Sequence, residues 1–246
     1  MEVHAHAHTP RKKWTHYFWE FLMLFLAVTL GFFVENRREH FIENKREKQF
    51  MQSMLKDLYT DLENIELCKV EKGRMVQFAD SLVEMYVDGV YLANTGRFNY
   101  YARNFSTYQN LFFMTDGTLV QLKNSGALRL IRRSVIVDSL QAYDNRYNQF
   151  KLSQERESEF LANYRDVMAK VFDVRVFNTM VKTYSEIKMP TGDSPLFNSD
   201  KQLINELLIR VHIAKRNKLG SILYLNQLKT KATNLITLIK TEYHLK

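Results

Sequence analysis

The chain has 246 residues, 46% of them hydrophobic and 13% aromatic, which is enough to bury a core and too apolar for a disordered chain. Eight glycines and three prolines leave few turn residues, so long uninterrupted elements are expected, and these favour an all-α fold. The single cysteine, Cys68, excludes an intramolecular disulfide and any multi-cysteine metal site, and the formal charge is +8.

Residues 1–13 read as a tail in which His4, His6 and His8 alternate with alanine ahead of Arg11, Lys12 and Lys13. Together with His16 the histidines could gather a divalent ion. The only carboxylate close by is Glu2, so a solvated tail is the reading adopted and no metal site is expected.

Residues 14–36 raise three readings: a cleaved export signal, a buried core helix or a membrane anchor. From Phe21 to Val34 fourteen residues carry no charge, and Tyr17 to Glu20 extend the run to eighteen. A spanning helix needs roughly 20 mostly apolar residues, so this one is at the short end. Its flanks favour the anchor: Trp14, Tyr17 and Trp19 sit where an interfacial aromatic belt would, and Glu35, Asn36, Arg37 and Arg38 end the run. Glu20 falls near the headgroups with His16 one turn before it. No small-x-small cleavage site follows the apolar core, because Gly31 leads into Phe32, Phe33 and Val34. For orientation, three basic residues precede the run, and Arg37, Arg38, Lys45, Arg46 and Lys48 follow it among four glutamates. The count favours a cytoplasmic C-terminal side, and charge alone leaves the question open.

Residues 37–246 are expected to form a helical bundle of coiled-coil character. The first long helix keeps a 3-4 spacing through Met51, Leu55, Leu58, Leu62, Ile65, Lys69, Lys72, Val76, Ala79, Val83 and Tyr86. With no glycine or proline between Phe32 and Lys72, it is expected to run on continuously from the anchor. Residues 87–116, rich in Asn, Tyr and Phe, read as a loop lying on the bundle, and a short helix is expected at 117–124, ended by Ser125 and Gly126. A second long helix spans about 134–172 with seam Leu140, Tyr143, Tyr147, Phe150, Gln154, Glu157, Leu161, Tyr164, Met168 and Val171. Pro190, Gly192 and Pro195 mark a turn region. The third long helix spans about 200–243, capped by Asp200, with seam Ile204, Leu207, Val211, Ala214, Lys218, Ser221, Leu225, Leu228, Ala232, Leu235 and Ile239.

Three stretches, FLMLFLAVTLGFFVENRRE, REKQFMQSMLKDLYTDLENI and LVQLKNSGALRLIRR at 119–133, resemble an uncharacterised family of small single-pass membrane proteins of the Bacteroidota, classed as a domain of unknown function. In that family a basic tail, one apolar helix, an Asn- and Arg-rich exit, a Leu-x-x-Asp-Leu helix and a Leu-Lys-x-Ser-Gly-x-Leu segment recur in this order. The resemblance covers residues 11–145, implies a membrane anchor and an envelope location, and carries no activity with it. The expectation adopted is an inner-membrane protein with its N-terminus in the cytoplasm and its bundle in the periplasm.

Little in the chain suggests chemistry. Cys68 has Lys69 and Lys72 as helix neighbours, which would lower a thiol pKa, but a lone helix cysteine is more commonly a small buried filler. His212 lies beside a seam and reads as surface. No glycine-rich phosphate loop, His-Glu-x-x-His or Gly-x-Ser-x-Gly occurs, so no cofactor, no catalytic residue and no enzyme activity are expected.

Charge is unevenly placed. Residues 201–246 hold nine basic and two acidic residues, whereas 35–200 are balanced. The basic face through Lys201, Arg210, Lys215, Arg216, Lys218, Lys229, Lys231, Lys240 and Lys246 reads first as the solvated outer side of a bundle helix. Anionic lipid is a possible partner there, and nucleic acid is not expected, since only Tyr224 and Tyr243 offer rings for stacking.

Each seam is interrupted once by two polar positions: Lys69 and Lys72, Gln154 and Glu157, Lys218 and Ser221. If the helices pack as antiparallel neighbours, these meet as one buried polar layer, in which Glu157 pairs with a lysine or an anion is held. The alternative, which the sequence favours, is a local slip that turns Cys68, Val70, Ile222 and Leu223 inward and the lysines outward. The function expected is that of a membrane-anchored envelope protein of structural, assembly or protein-interaction type, with a protein partner or a second copy of itself. The alternative is a ligand sensor whose output passes through a partner.

Overall fold

The computed structural model describes residues 14–107, 111–183 and 186–245. The histidines at 4, 6 and 8 and the basic residues at 11–13 lie outside the described residues. The fold is all-α: α1 (Trp14–Val87), α2 (Thr95–Thr107), α3 (Gly117–Asn124), a 3-10 turn at Ala127–Leu130, α4 (Ser134–Val171), α5 (Val174–Met180) and α6 (Lys201–Tyr243). Among the described residues the only β pairing is an isolated bridge between Val181 and Ile187.

Two compact units are present, Met1–Phe50 and Met51–Lys246. In the first, α1 carries one segment long and apolar enough to cross a membrane, and none of that segment is buried. His16 Nε2 lies 3.0 Å from Glu20 Oε1, one turn apart. Residues 35–50, which the sequence assigned to the bundle from 37 onward, continue α1 with mostly exposed side chains.

In the second unit α1, α4 and α6 are the long members. Asp200 starts α6 by accepting from the N–H groups of Gln202 and Leu203, two of the donors that a helix N-terminus leaves unpaired. Cross-helix contacts give the directions. Asp61 meets Tyr143 and Lys72 meets Glu157, so α1 and α4 run parallel. Glu157 meets Lys218 while Asn163 meets Arg210, so α6 runs antiparallel to α4. Antiparallel packing, the condition under which the polar layer was expected, therefore holds for α6 against α4 but not for α1 with α4. Their parallel course is possible because the described residues between them return once from the end of α1, where Phe98 packs with Leu82, to the entry end of the bundle, where Thr115 meets Asp61 and Thr118 meets Asp57.

That crossover is where the loop expected at 87–116 needs correction, because it contains the thirteen-residue helix α2. Its Phe98, Ala102 and Phe105 recur at helical spacing and are fully buried among Leu82 of α1, Leu161 and Tyr164 of α4 and Leu207 of α6. Tyr164 donates to the carbonyl of Ala102 at 3.1 Å. At the start of α2 the chain passes so close to the 190s turn that a Cβ on Gly96 would stand 2.7 Å from the carbonyl oxygen of Gly192. The N–H of Gly96 donates to Asp193 Oδ1 at 2.8 Å.

The seam of α6 is buried at every expected position, Ile204 through Ile239. On α1 Met51, Leu55, Leu58, Ile65, Lys72 and Ala79 are buried as expected, but from Leu62 onward the other positions sit one residue earlier. Asp61, Cys68, Met75, Leu82 and Met85 are buried where Leu62, Lys69, Val76, Val83 and Tyr86 were expected. At the first of these the reason is chemical: Asp61 can be buried because two donors reach it, a pairing that apolar periodicity does not register.

Candidate functional site

The most distinctive cluster is a buried polar layer across α1, α4 and α6. Glu157 of α4 is its centre. Lys72 Nζ donates to Glu157 Oε2 at 2.6 Å, Lys218 Nζ donates to Oε1 at 2.7 Å, and Ser221 Oγ donates to Oε2 at 3.2 Å. Ser153 and Ser221 share a further hydrogen bond at 3.2 Å. Glu157 and Lys218 are each 1% exposed and Lys72 is 2% exposed, so water screens these charges very little. Lys218 Nζ also lies over the Phe105 ring, 5.8 Å from its centroid.

One carboxylate thus holds two ammonium groups. Burial works against the Glu157 anion, but Lys72 and Lys218 overcome it and hold its pKa below the ordinary carboxyl value. Burial pulls the Lys218 pKa down against the attraction of Glu157. Cys68, one turn before Lys72 on α1, is buried, and burial pushes its thiol up to about 11. It is a neutral filler at neutral pH rather than a nucleophile.

Gln154, one turn before Glu157, faces a different neighbour. The crossover between α2 and α3 is not helical at 111–116, and backbone groups of such a segment, once buried, need partners from outside it. Gln154 supplies both. Its Oε1 accepts from the N–H of Phe112 at 2.8 Å, and its Nε2 donates to the carbonyl of Phe112 at 3.0 Å. Asp61 Oδ1 accepts from the N–H of Thr115 at 2.7 Å, and Asp61 Oδ2 accepts from Tyr143 Oη at 2.6 Å. Asp57 Oδ2 accepts from the N–H of Thr118 in the first turn of α3 at 3.1 Å. Burial raises the Asp61 pKa although Tyr143 and Thr115 pull it down, and burial likewise raises the Tyr143 phenol.

Of the six residues expected in a polar layer, Lys72, Glu157, Lys218 and Ser221 come together, and Gln154 stands one turn away on the crossover. Lys69 does not join them: it lies at the flank, 3.1 Å from Glu66 on its own helix. The slip favoured by the sequence is corrected in most of its parts, since Lys72 and Lys218 point inward while Val70 and Leu223 are exposed. Cys68 is the one member of the slip set that is fully buried. What selects the layer is the set of hydrogen bonds that Glu157 and its two lysines satisfy in one another. Asp57 and Asp61, which complete the site, lacked any sequence signal except their four-residue spacing on an otherwise apolar helix face.

The basic excess of α6 is largely engaged within the fold. Lys215 pairs with Asp80 and Lys218 with Glu157; Lys229 pairs with Glu66, Arg210 with Glu206, and Lys240 lies over the Tyr59 ring. His212 is exposed. Among the described residues no group of three or more His, Cys, Asp or Glu side chains is placed to hold a metal ion. No protein-family model, curated protein or solved structure matches the chain.

Proposed function

We propose that this chain is a membrane-anchored envelope protein of structural or assembly type, held in the bilayer by the N-terminal part of α1 and acting through the helix faces of its bundle. The observation that carries the reading is the contrast within α1. Phe21, Leu24, Phe25, Phe32 and Phe33 are all more than half exposed, whereas Leu58, Ile65 and Leu82 of the same helix are buried. An apolar surface of that extent is stable in lipid and costly in water. The polar layer supports a structural role over ligand sensing, because its charged groups are bonded to one another within the fold. The pairing of Lys215, Lys218 and Lys229 likewise supports cohesion of the bundle over a free face for anionic lipid. In this reading the protein is single-pass in the inner membrane, with the N-terminus cytoplasmic and the bundle periplasmic, and it belongs with the Bacteroidota family that its sequence resembles.

The test is carbonate extraction of the full-length protein. Retention in the membrane pellet is expected, and recovery of soluble protein with an intact N-terminus would overturn the reading. Impermeant labelling of a cysteine placed in the tail or in the bundle decides the orientation, with labelling of the bundle cysteine expected.

A further inference from the structure

We infer that the outer face of α4 and α6 is the contact between two copies of this chain. The contacts already described set the levels: Ser153 lies beside Ser221, Glu157 beside Lys218 and Asn163 beside Arg210. On the solvent side of the same levels, Leu152 of α4 falls opposite Leu223 of α6, and Glu159 falls opposite Arg216. Leu152 and Leu223 are 54% and 59% exposed, and Glu159 and Arg216 are exposed as well. Leu152 and Glu159 share one face of α4 at a spacing of seven; Ile213, Arg216, Gly220 and Leu223 share one face of α6.

A two-fold axis parallel to these helices lays α4 of each copy against α6 of the other in antiparallel fashion, and it opposes equal levels. Leu152 then meets the Leu223 of the second copy, and Glu159 meets its Arg216, twice over by symmetry. Ile213 lines a small notch of about 130 Å³ with Phe160, Asn163 and Arg210, deep enough to take part of an apolar side chain. Gly220 has open space above it, which lets a facing helix come close. The charge pattern is what commits the face to a second copy: each protomer carries both the acid and the base, at levels that match only under this axis. The arrangement also keeps both chains pointing the same way, as two copies anchored in one bilayer must. In that respect it rests on the proposed membrane reading.

The experiment uses the full-length chain in membranes. Two differently tagged copies, one carrying Glu159→Cys and the other Arg216→Cys, should form a mixed disulfide under mild oxidation. Glu159→Arg alone should lose the dimer seen by chemical cross-linking, and Glu159→Arg combined with Arg216→Glu should restore it. Leu223→Asp should abolish it. A monomeric wild-type protein, a dimer indifferent to Glu159→Arg, or no rescue by the double reversal would overturn the inference. Carbonate extraction of the same membranes reads the anchor independently, so failure of one reading is distinguishable from failure of the other.

Discussion

The bundle unit has two halves that solve one problem differently. Around Leu82, Phe98, Phe105, Tyr164 and Leu207 the fourth position is filled by α2, whose Phe98, Ala102 and Phe105 join the apolar cluster while its Thr95, Asn99 and Ser106 are buried as well. Lower down, at 111–116, the crossover has no regular structure before it enters α3, and the facing buried side chains are Asp61 and Gln154, with Glu157 just above. A helix bonds most of its own backbone, so α2 takes polar partners only at Gly96, Ala102 and Ser106, from Asp193, Tyr164 and Arg165, and otherwise meets apolar surface. An irregular segment does not, and where it is buried its neighbours present carboxylates and amides. Asp61 and Gln154 are therefore the counterpart of an irregular backbone, whereas Lys72, Glu157, Lys218 and Ser221 satisfy one another.

The comparison is most exposed to failure at Glu157. Replacement by Leu leaves two lysines buried without their carboxylate and should lower stability by about 4 kcal/mol, read from chemical denaturation. A change below about 0.5 kcal/mol would mean that the lysines reach solvent. The same group sets an acid response. The folded-state pKa of Glu157 is below its ordinary value, so its contribution is fully present above the ordinary carboxyl range and is lost as pH falls through the lower folded value. Asp61, raised by burial, acts in the opposite sense, because protonating it relieves a cost. Wild-type protein should thus lose stability as pH falls below the ordinary carboxyl range, and Glu157→Gln should flatten that loss. In the apolar half, Leu207→Ala should cost about 3 kcal/mol through the cavity alone, with no change in the pH profile. Gln154→Leu should cost about 2 kcal/mol, and amide exchange at Phe112 should quicken while that at Phe105 stays slow. Equal quickening at both would dissolve the distinction between the halves. Lys69→Ala, at the flank, should shift stability by at most about 0.5 kcal/mol, which separates it from Lys72 on the same helix.

Much of this architecture was legible in the residues. The α6 seam could be read because its 3-4 spacing holds from Ile204 to Ile239 with an apolar residue at every position except Lys218 and Ser221. At the first displaced position of the α1 seam Leu62 outranks Asp61 in hydropathy, and only the tertiary partners of Asp61 reverse that order. The helix α2 was hidden by its polar neighbours: Phe98, Ala102 and Phe105 carry the right spacing, but Asn99, Tyr100, Arg103 and Asn104 around them read as loop. The seven-residue α5 is too short for periodicity to register. The members of the polar layer were visible as interruptions, yet choosing between layer and slip required knowing that α1 and α4 run parallel. That direction is set by the crossover and cannot be recovered from any one helix.

The parallel pairing of α1 with α4 also bears on the order in which the chain assembles. Lys218 and Glu157 are 61 residues apart and belong to adjacent helices joined by one connection, whereas Lys72 and Glu157 are separated by 85 residues and a crossover that must itself be threaded into place. Closing the longer loop costs more chain entropy before any contact repays it, so contact order favours α4 and α6 pairing first. Helix α1, although made first, would then dock last, and Lys72 would complete a half-built ion pair. A folding experiment should find Lys218→Met slowing refolding and Lys72→Met acting mainly on the unfolding rate.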